Sequence, residues 1–229
     1  MKSFTLLLQS VLLLVVLSSS MVSLAQTTIY SDTFQTAADA WNVSSVGSGA
    51  GEWRRGTSAA FNTGRVGNYY YSRTYSNVYN NQTYIRATSP TIDLSGYTNL
   101  SFEFRIWYIT EAFWDGMKVE YSLNDGSTWS GLGSVGATWY NDTDVDAFAN
   151  GEDAWSGSSG AWMTRTINLS TVNAGFNNNS QVRIRIVFAS DNNNQNVGVA
   201  FDEVVIKGTA IPPTPEINIT GGGFNIGDG

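Results

Sequence analysis

Apolar and polar residues alternate with a period of two through much of the chain. In LSFEFRIWYI, Leu100, Phe102, Phe104, Ile106 and Tyr108 fall on one face, while Ser101, Glu103, Arg105 and Trp107 fall on the other. QVRIRIVF sets Val182, Ile184, Ile186 and Phe188 against Arg183 and Arg185. MKVEYSL sets Val119, Tyr121 and Leu123 against Lys118 and Glu120. This is the signature of strands that bury one face. No segment carries a long helical stripe, and Gly- and Asn-rich breaks such as DLSGYTNL and SDNNNQNVG separate the strands. Many alternating strands without helices predict an all-β sandwich or barrel.

The two ends break the pattern. The opening MKSFTLLLQSVLLLVVLSSSMVSLAQ has Lys2, then an apolar run from Leu6 to Leu17, then the small-x-small site Ser23-Leu24-Ala25. It reads as a secretory signal peptide, residues 1–25, cleaved after Ala25. Near the other end, AIPPTP has two adjacent prolines and a third close by, which favours an extended spacer. Residues 26–208 are therefore expected to form one β domain and 209–215 a linker. Residues 216–229, EINITGGGFNIGDG, are expected to be the start of a second β module.

Composition narrows the chemistry. The chain has no Cys and no His, which removes disulfide staples, Ser-His-Asp and Cys-His nucleophile systems and His-ligated zinc. Carboxylate or Tyr chemistry and oxygen-ligated metals remain. Net charge is −7, and loss of Lys2 with the leader takes it to −8. That argues against nucleic acid and against anionic membranes, and suits calcium, a hard cation that takes oxygen ligands. No later apolar run is long enough to insert in a bilayer.

SLNDGSTW, Ser122 to Trp129, resembles the Asp-box of sialidases and related propellers, with Asn124 in place of the Asp. That box recurs once per propeller blade, whereas this chain has one copy and no repeat of blade length. Asp125-Gly126 between strands is a hairpin signal, and the stretch is read as a turn. Its surroundings carry a wider resemblance. FWDGMKVEYSLNDGSTWSGLG, AWSGSSGAWMTRTINLS and QVRIRIVFASDNNNQNVGVAFDEVVI, with SDTFQ, Trp53 and SPTIDLSGYTNLSFEFRIWY earlier, are similar to the MAM-like module of secreted bacterial surface proteins. The same module occurs beside the immune inhibitor A-type peptidase domain. The resemblance covers residues 27–208, with Gln35, Asn124 and Glu203 as departures. It implies a jelly-roll β-sandwich of the concanavalin/galactose-binding-like kind. The tail PEINITGGG resembles a surface-anchoring repeat module of the same proteins.

The resemblance implies a structural calcium held by Asp202 with first-strand residues, carried over as Gln35 and Asp32. By alternation, Asp202 is expected to share a face with Ala200, Val204 and Ile206. An alternative is the acidic loop DTDVDAFANGED, where Asp142, Asp144, Asp146, Asn150 and Asp153 fall at positions one, three, five, nine and twelve of an EF-hand-like loop. Ala147 stands where that loop needs Gly, and Asp153 where it has Glu. Sugars stack on exposed aromatic faces. Trp107, opposite the buried row, and Trp114, in a loop, are the glycan-binding candidates among many aromatics that otherwise fill a sandwich. Glu103 with Glu120, expected on adjacent strands, is the carboxylate pair weighed for glycoside hydrolysis. Arg105 and Arg183 favour surface ion pairs instead. The expected function is a non-catalytic extracellular binding or adhesion module for a glycan or surface protein. The alternative is an accessory domain of a secreted peptidase or glycosidase.

Overall fold

The structure is a computed structural model that describes residues 25–36, 41–46, 49, 51–63, 67–73, 78–136, 138–149 and 151–213, with Arg73 as backbone alone. The leader up to Leu24, Asn150 of the acidic segment and the expected second module lie outside the described residues. In chain order the strands are β1 (Thr27–Asp32), β2 (Asn42–Ser45), β3 (Glu52–Gly56), β4 (Tyr69–Arg73), β5 (Tyr84–Thr88), β6 (Tyr97–Ile109), β7 (Gly116–Ser122), β8 (Ser130–Gly131), β9 (Asp142–Val145), β10 (Glu152–Ser156), β11 (Met163–Asn168), β12 (Arg183–Ala189) and β13 (Gly198–Ala210). One helical turn, α1 (Leu169–Val172), is capped by Asn168, whose side chain accepts the Thr171 N–H at 2.9 Å.

The strands form two antiparallel sheets. One runs β11-β6-β13-β4-β3, with β1 also paired to β13, and the other β2-β5-β12-β7-β10-β9, with β8 on β7. The order β4-β13-β6-β11 facing β5-β12-β7-β10 is that of a jelly roll, in which the chain alternates between sheets and each late strand inserts beside an early one. The expected jelly-roll β-sandwich is the observed fold. Between the sheets lie Leu100, Phe102, Phe104, Ile106 and Tyr108 of β6 and Val119 and Tyr121 of β7. Val182, Ile184, Ile186 and Phe188 at and along β12 complete the facing rows, all as the alternation predicts.

Four expectations need correction. β7 is buried on both faces, because Val145, Phe148 and Ala154 form a second small core on the outer side of its sheet with Val187 and Ala189. Lys118 and Glu120, expected at the surface, lie under this cover, with Lys118 Nζ 4.7 Å from the Phe148 ring centre. On β13, the inward residues are Val199 and Phe201 and then Val204 and Ile206, while Ala200 packs on the outer side. A register shift between Asp202 and Val205, with Glu203 at φ +51°, slips the alternation by one residue. Asp202 is therefore not in line with Val204 and Ile206. Glu103 and Glu120 are not on adjacent strands but on different sheets, in β6 and β7. Trp107 does point to the outer side, but it is only 8 % exposed, covered by Phe61 at 5.8 Å and Trp162 at 6.1 Å between ring centres.

SLNDGSTW forms the expected turn. Asp125 and Gly126 have φ of +55° and +89°, left-handed values that Asp and Gly tolerate, and form a turn closed by the Ser127 N–H to the Asn124 carbonyl at 3.1 Å within the loop that follows the Tyr121–Ser130 pair. Ser122 Oγ accepts the Gly126 N–H at 2.8 Å, and Asn124 Oδ1 accepts the Thr128 N–H at 2.9 Å. Asn124 thus supplies the oxygen that an Asp would supply. β13 runs to Ala210 and the Ile211 N–H donates to Gly96 at 2.8 Å, so the first residues expected in the linker still belong to the sheet.

Candidate binding cleft

At one end of the sandwich four segments converge: the entry to β5, the β6–β7 turn, the tip of the β9–β10 hairpin and the exit of β12. They enclose an open cleft of about 510 Å³ lined by Gln82, Thr83, Tyr84, Trp114, Asp146, Ala147, Ser190, Asp191 and Asn192. Trp114 is 47 % exposed and its neighbour Phe113 67 %. Their backbone is fixed although their side chains are open. The Phe113 N–H donates to Ser156 Oγ at 2.8 Å, and the Phe113 and Trp114 carbonyls accept the Asp146 and Ala147 N–H groups at 3.1 and 2.8 Å. Ser156 Oγ, in turn, lies 2.9 Å from the Asp115 carbonyl. The opposite wall is tied by the Gln82 N–H to the Asp191 carbonyl at 2.5 Å, and by the Thr83 N–H to Ser190 Oγ at 3.0 Å. An exposed indole thus stands on a rigid turn beside amides, hydroxyls and carboxylates.

Behind this wall is an acidic cluster. Glu111, Asp115 and Asp191 each place a carboxylate oxygen within 4.8 Å of the others. Asp115 is fully buried, accepts Tyr79 O–H at 2.5 Å and accepts the Asp191 N–H at 2.7 Å. Burial pushes its carboxyl up to about 6. The neighbouring carboxylates add to that rise, while the Tyr79 and Asp191 hydrogen bonds oppose it. Tyr79 is pushed up as well, by burial first and then by Asp115. Glu111 Oε1 accepts from the Asn194 amide at 2.7 Å, whereas Glu111 Oε2 is enclosed with no hydrogen-bond donor among the described residues. Among the described residues, no Lys or Arg forms a salt bridge with any of the three.

The candidates from the sequence are dispersed. Trp114 is at the cleft and exposed; Trp107 is under the aromatic cover on the other sheet. Asp202 is fully buried and its Oδ1 accepts the Glu203 N–H at 2.7 Å. Asp32 pairs with Val204 in the β1–β13 register. Its oxygens already accept the Phe34 N–H at 2.8 Å, Trp41 Nε1–H at 3.1 Å and Tyr30 O–H at 3.3 Å. Gln35 is exposed, and its Oε1 accepts the Asn68 N–H at 3.0 Å. Asp142 and Asp144 lie along β9, Asp146 faces the cleft, and Asp153 Oδ2 accepts the Val135 N–H at 2.8 Å. The hairpin spreads these acids along a strand pair; among the described residues, the acids that converge in threes are Glu111, Asp115 and Asp191. Asp115 and Asp191 stand in the FWDG and ASDNNN stretches quoted above, but Glu111 carries no sequence signal. Arg105 and Arg183 do form outer-face ion pairs, with Glu203 at 3.8 Å and Asp125 at 2.6 Å.

No family model matches the chain, and no curated protein matches it. Solved structures similar to it include the C-terminal family 22 carbohydrate-binding module of Clostridium thermocellum Xyn10B, with a TM-score of 0.42, 12% identity, and coverage of 82% of this chain and 96% of that one. The K1 cleaved adhesin domain of Lys-gingipain from Porphyromonas gingivalis W83 has a TM-score of 0.41 at 14% identity, over 80% of this chain and 99% of that one. The mannan-recognising module TmCBM27 has 0.41 at 12% identity, over 81% and 99%. The fold and the cleft stand on their own geometry. Among the described residues, no helix is long and apolar enough to cross a membrane.

Proposed function

We propose that this chain is a secreted, non-catalytic binding module that holds an extracellular glycan in the Trp114 cleft. The observation that carries this is the exposed indole on a fixed turn, beside Gln82, Asp146, Asp191 and Asn192. A sugar ring has an apolar face and a rim of hydroxyls. An aromatic surface flanked by a few convergent polar groups satisfies both. Hydrolysis of a glycosidic bond uses two carboxyl groups placed about one bond. Asp146 and Asp191 line the cleft and Asp115 is buried behind it, so the non-catalytic reading is checked by incubating the protein with a retained polysaccharide, where released sugar would overturn it. Glu103 and Glu120 are on different sheets. The test is a glycan array followed by affinity electrophoresis. Wild type is retained by at least one polysaccharide, and Trp114→Ala loses at least tenfold in affinity while its unfolding changes by no more than about 0.5 kcal/mol, as for an exposed site. No retention on any glycan sinks the reading.

A second reading concerns calcium. Its support is the Glu111, Asp115 and Asp191 cluster, with an enclosed Glu111 oxygen that no donor reaches and no basic side chain bridged to it among the described residues. These oxygens suit a hard cation, which would supply the missing positive charge and tie the β6–β7 turn to the β12 exit. Oxygens of Asp32 and Gln35, like those of Asp115, already accept hydrogen bonds from the protein; what favours the Glu111 corner is its grouping of three acids and the enclosed Glu111 Oε2.

A further inference from the structure

The charge of the cleft says more about what enters it. Its charged lining residues are Asp146 and Asp191, and among the described residues no Lys or Arg lines it, although the Arg86 guanidinium lies over the ring of the lining Tyr84, 4.9 Å from its centre. Glu111 and Asp115 add carboxylates behind the same wall. The nearest cation in sequence on β7, Lys118, is bound to Glu120 at 2.8 Å and also to Glu152, so it is not free to turn toward a ligand. Arg185 is held by Glu120 and stacks 4.0 Å from the Trp129 ring. The chain as a whole is acidic, at −7.

Building on the glycan reading, we infer that the cleft selects uncharged glycans and rejects chains bearing carboxylate or sulfate groups. Carboxylates accept hydrogen bonds from sugar hydroxyls, so Asp146 and Asp191 serve a neutral ring well. An anionic substituent beside Asp146 and Asp191 meets like charge, while the Arg86 guanidinium is laid over the Tyr84 ring instead of lining the cleft, and like-charge juxtaposition is how a site excludes a wrong partner. Gln82 and Asn192 offer amide groups that bind hydroxyls without demanding charge. Specificity thus lies in the acids, and affinity lies in the Trp114 face.

The experiment uses matched chains: a neutral glucan, mannan or galactan that retains the protein, and the same polymer oxidised at C6 to the carboxylate or sulfated. Affinities are measured at low and high salt, in chelator and in calcium. Wild type is expected to bind the neutral chain at least tenfold more tightly than either anionic form, with the gap narrowing at high salt. Asp146→Asn with Asp191→Asn is expected to close most of that gap, and Trp114→Ala to weaken both chains together. Equal or tighter binding of an anionic chain, with or without calcium, overturns the inference while the glycan reading stands. A gap that the double variant leaves unchanged also overturns it. If no neutral chain binds at all, the glycan reading itself fails and takes the inference with it.

Discussion

Asp115 and Glu120 are both buried acids at or next to the same strand, yet their surroundings act on them in opposite directions. Glu120 lies 2.8 Å from Lys118 and is also bridged by Arg185. Burial alone would raise its carboxyl, but those two cations outweigh burial and hold it below the usual carboxylate range. Asp115 is pushed up to about 6 by burial first, the two neighbouring carboxylates adding to the rise, and its partners, a phenol and a backbone N–H, offset only part of it. The first cluster is complete: every charge has its counter-charge, under the lid of Val145 and Phe148. The second is incomplete, and it lies directly behind the cleft. A polar group built for stability is satisfied within the chain, whereas one built for a ligand leaves a place for something else.

The largest expected effect comes from breaking the complete cluster. Glu120→Gln leaves Arg185 without its carboxylate and should cost about 3 kcal/mol at neutral pH, as removal of one partner from a buried pair does. The folded-state pKa of Glu120 is depressed, so its contribution is present above the unfolded value of about 4.3 and is lost as pH falls through the folded value. Urea unfolding between pH 3 and 7 should show that acid loss reduced in the variant. A variant as stable as wild type at pH 7 would mean the network contributes nothing net.

Filling the incomplete cluster should come next. At a hundredfold excess over its dissociation constant, calcium bound to the folded state adds about 2.7 kcal/mol, which moves a melting midpoint by several degrees. Asp115→Asn is expected to abolish that rise and Asp202→Asn to keep it. The reverse pattern would return calcium to the Asp202 corner.

In chelator the two acids should show opposite pH limbs. The folded pKa of Asp115 is raised from 3.8 to about 6, so the folded protein holds that proton more tightly than the unfolded chain. Its contribution is full below the unfolded value and is lost as pH rises through about 6. Stability of Asp115→Asn should lack this decline between pH 4 and 6, while Glu120→Gln retains it. Identical slopes in wild type and Asp115→Asn would show that the acid does not titrate there.

The smallest effect is at the hairpin. Asn124 Oδ1 already accepts the Thr128 N–H, so Asn124→Asp should change stability by less than about 0.5 kcal/mol in thermal unfolding. A larger shift would make this position more than a source of one acceptor oxygen.

Most of the framework was legible in the residues. Rows such as Phe102, Phe104 and Ile106, or Ile184, Ile186 and Phe188, face the core as period two predicts, because a strand cannot bury one face without that repeat. The turn at Asp125-Gly126 was legible too, because few residues other than Gly, Asn and Asp tolerate positive φ there. The bulge at Asp202 was not: a one-residue slip conserves composition and leaves no mark until the partner strand sets the register. The cover over Trp107 was equally hidden, since Phe61 and Trp162 reach it from distant parts of the chain.

Of the cleft, the sequence marked Trp114 as an aromatic in a loop and could do no more. What made it the wall of a cleft was Asp146, Asp191 and Asn192 arriving beside it from the β9–β10 tip and the exit of β12. The local pattern determined which residues are strands and which face of each is apolar, because those follow from backbone geometry between neighbours. The tertiary structure alone decided which buried acids met cations and which met each other. Electrostatic partners are fixed by distance in space, and the jelly-roll crossing of the chain sets that distance, bringing Glu111, Asp115 and Asp191 together while giving Glu120 to Lys118 and Arg185.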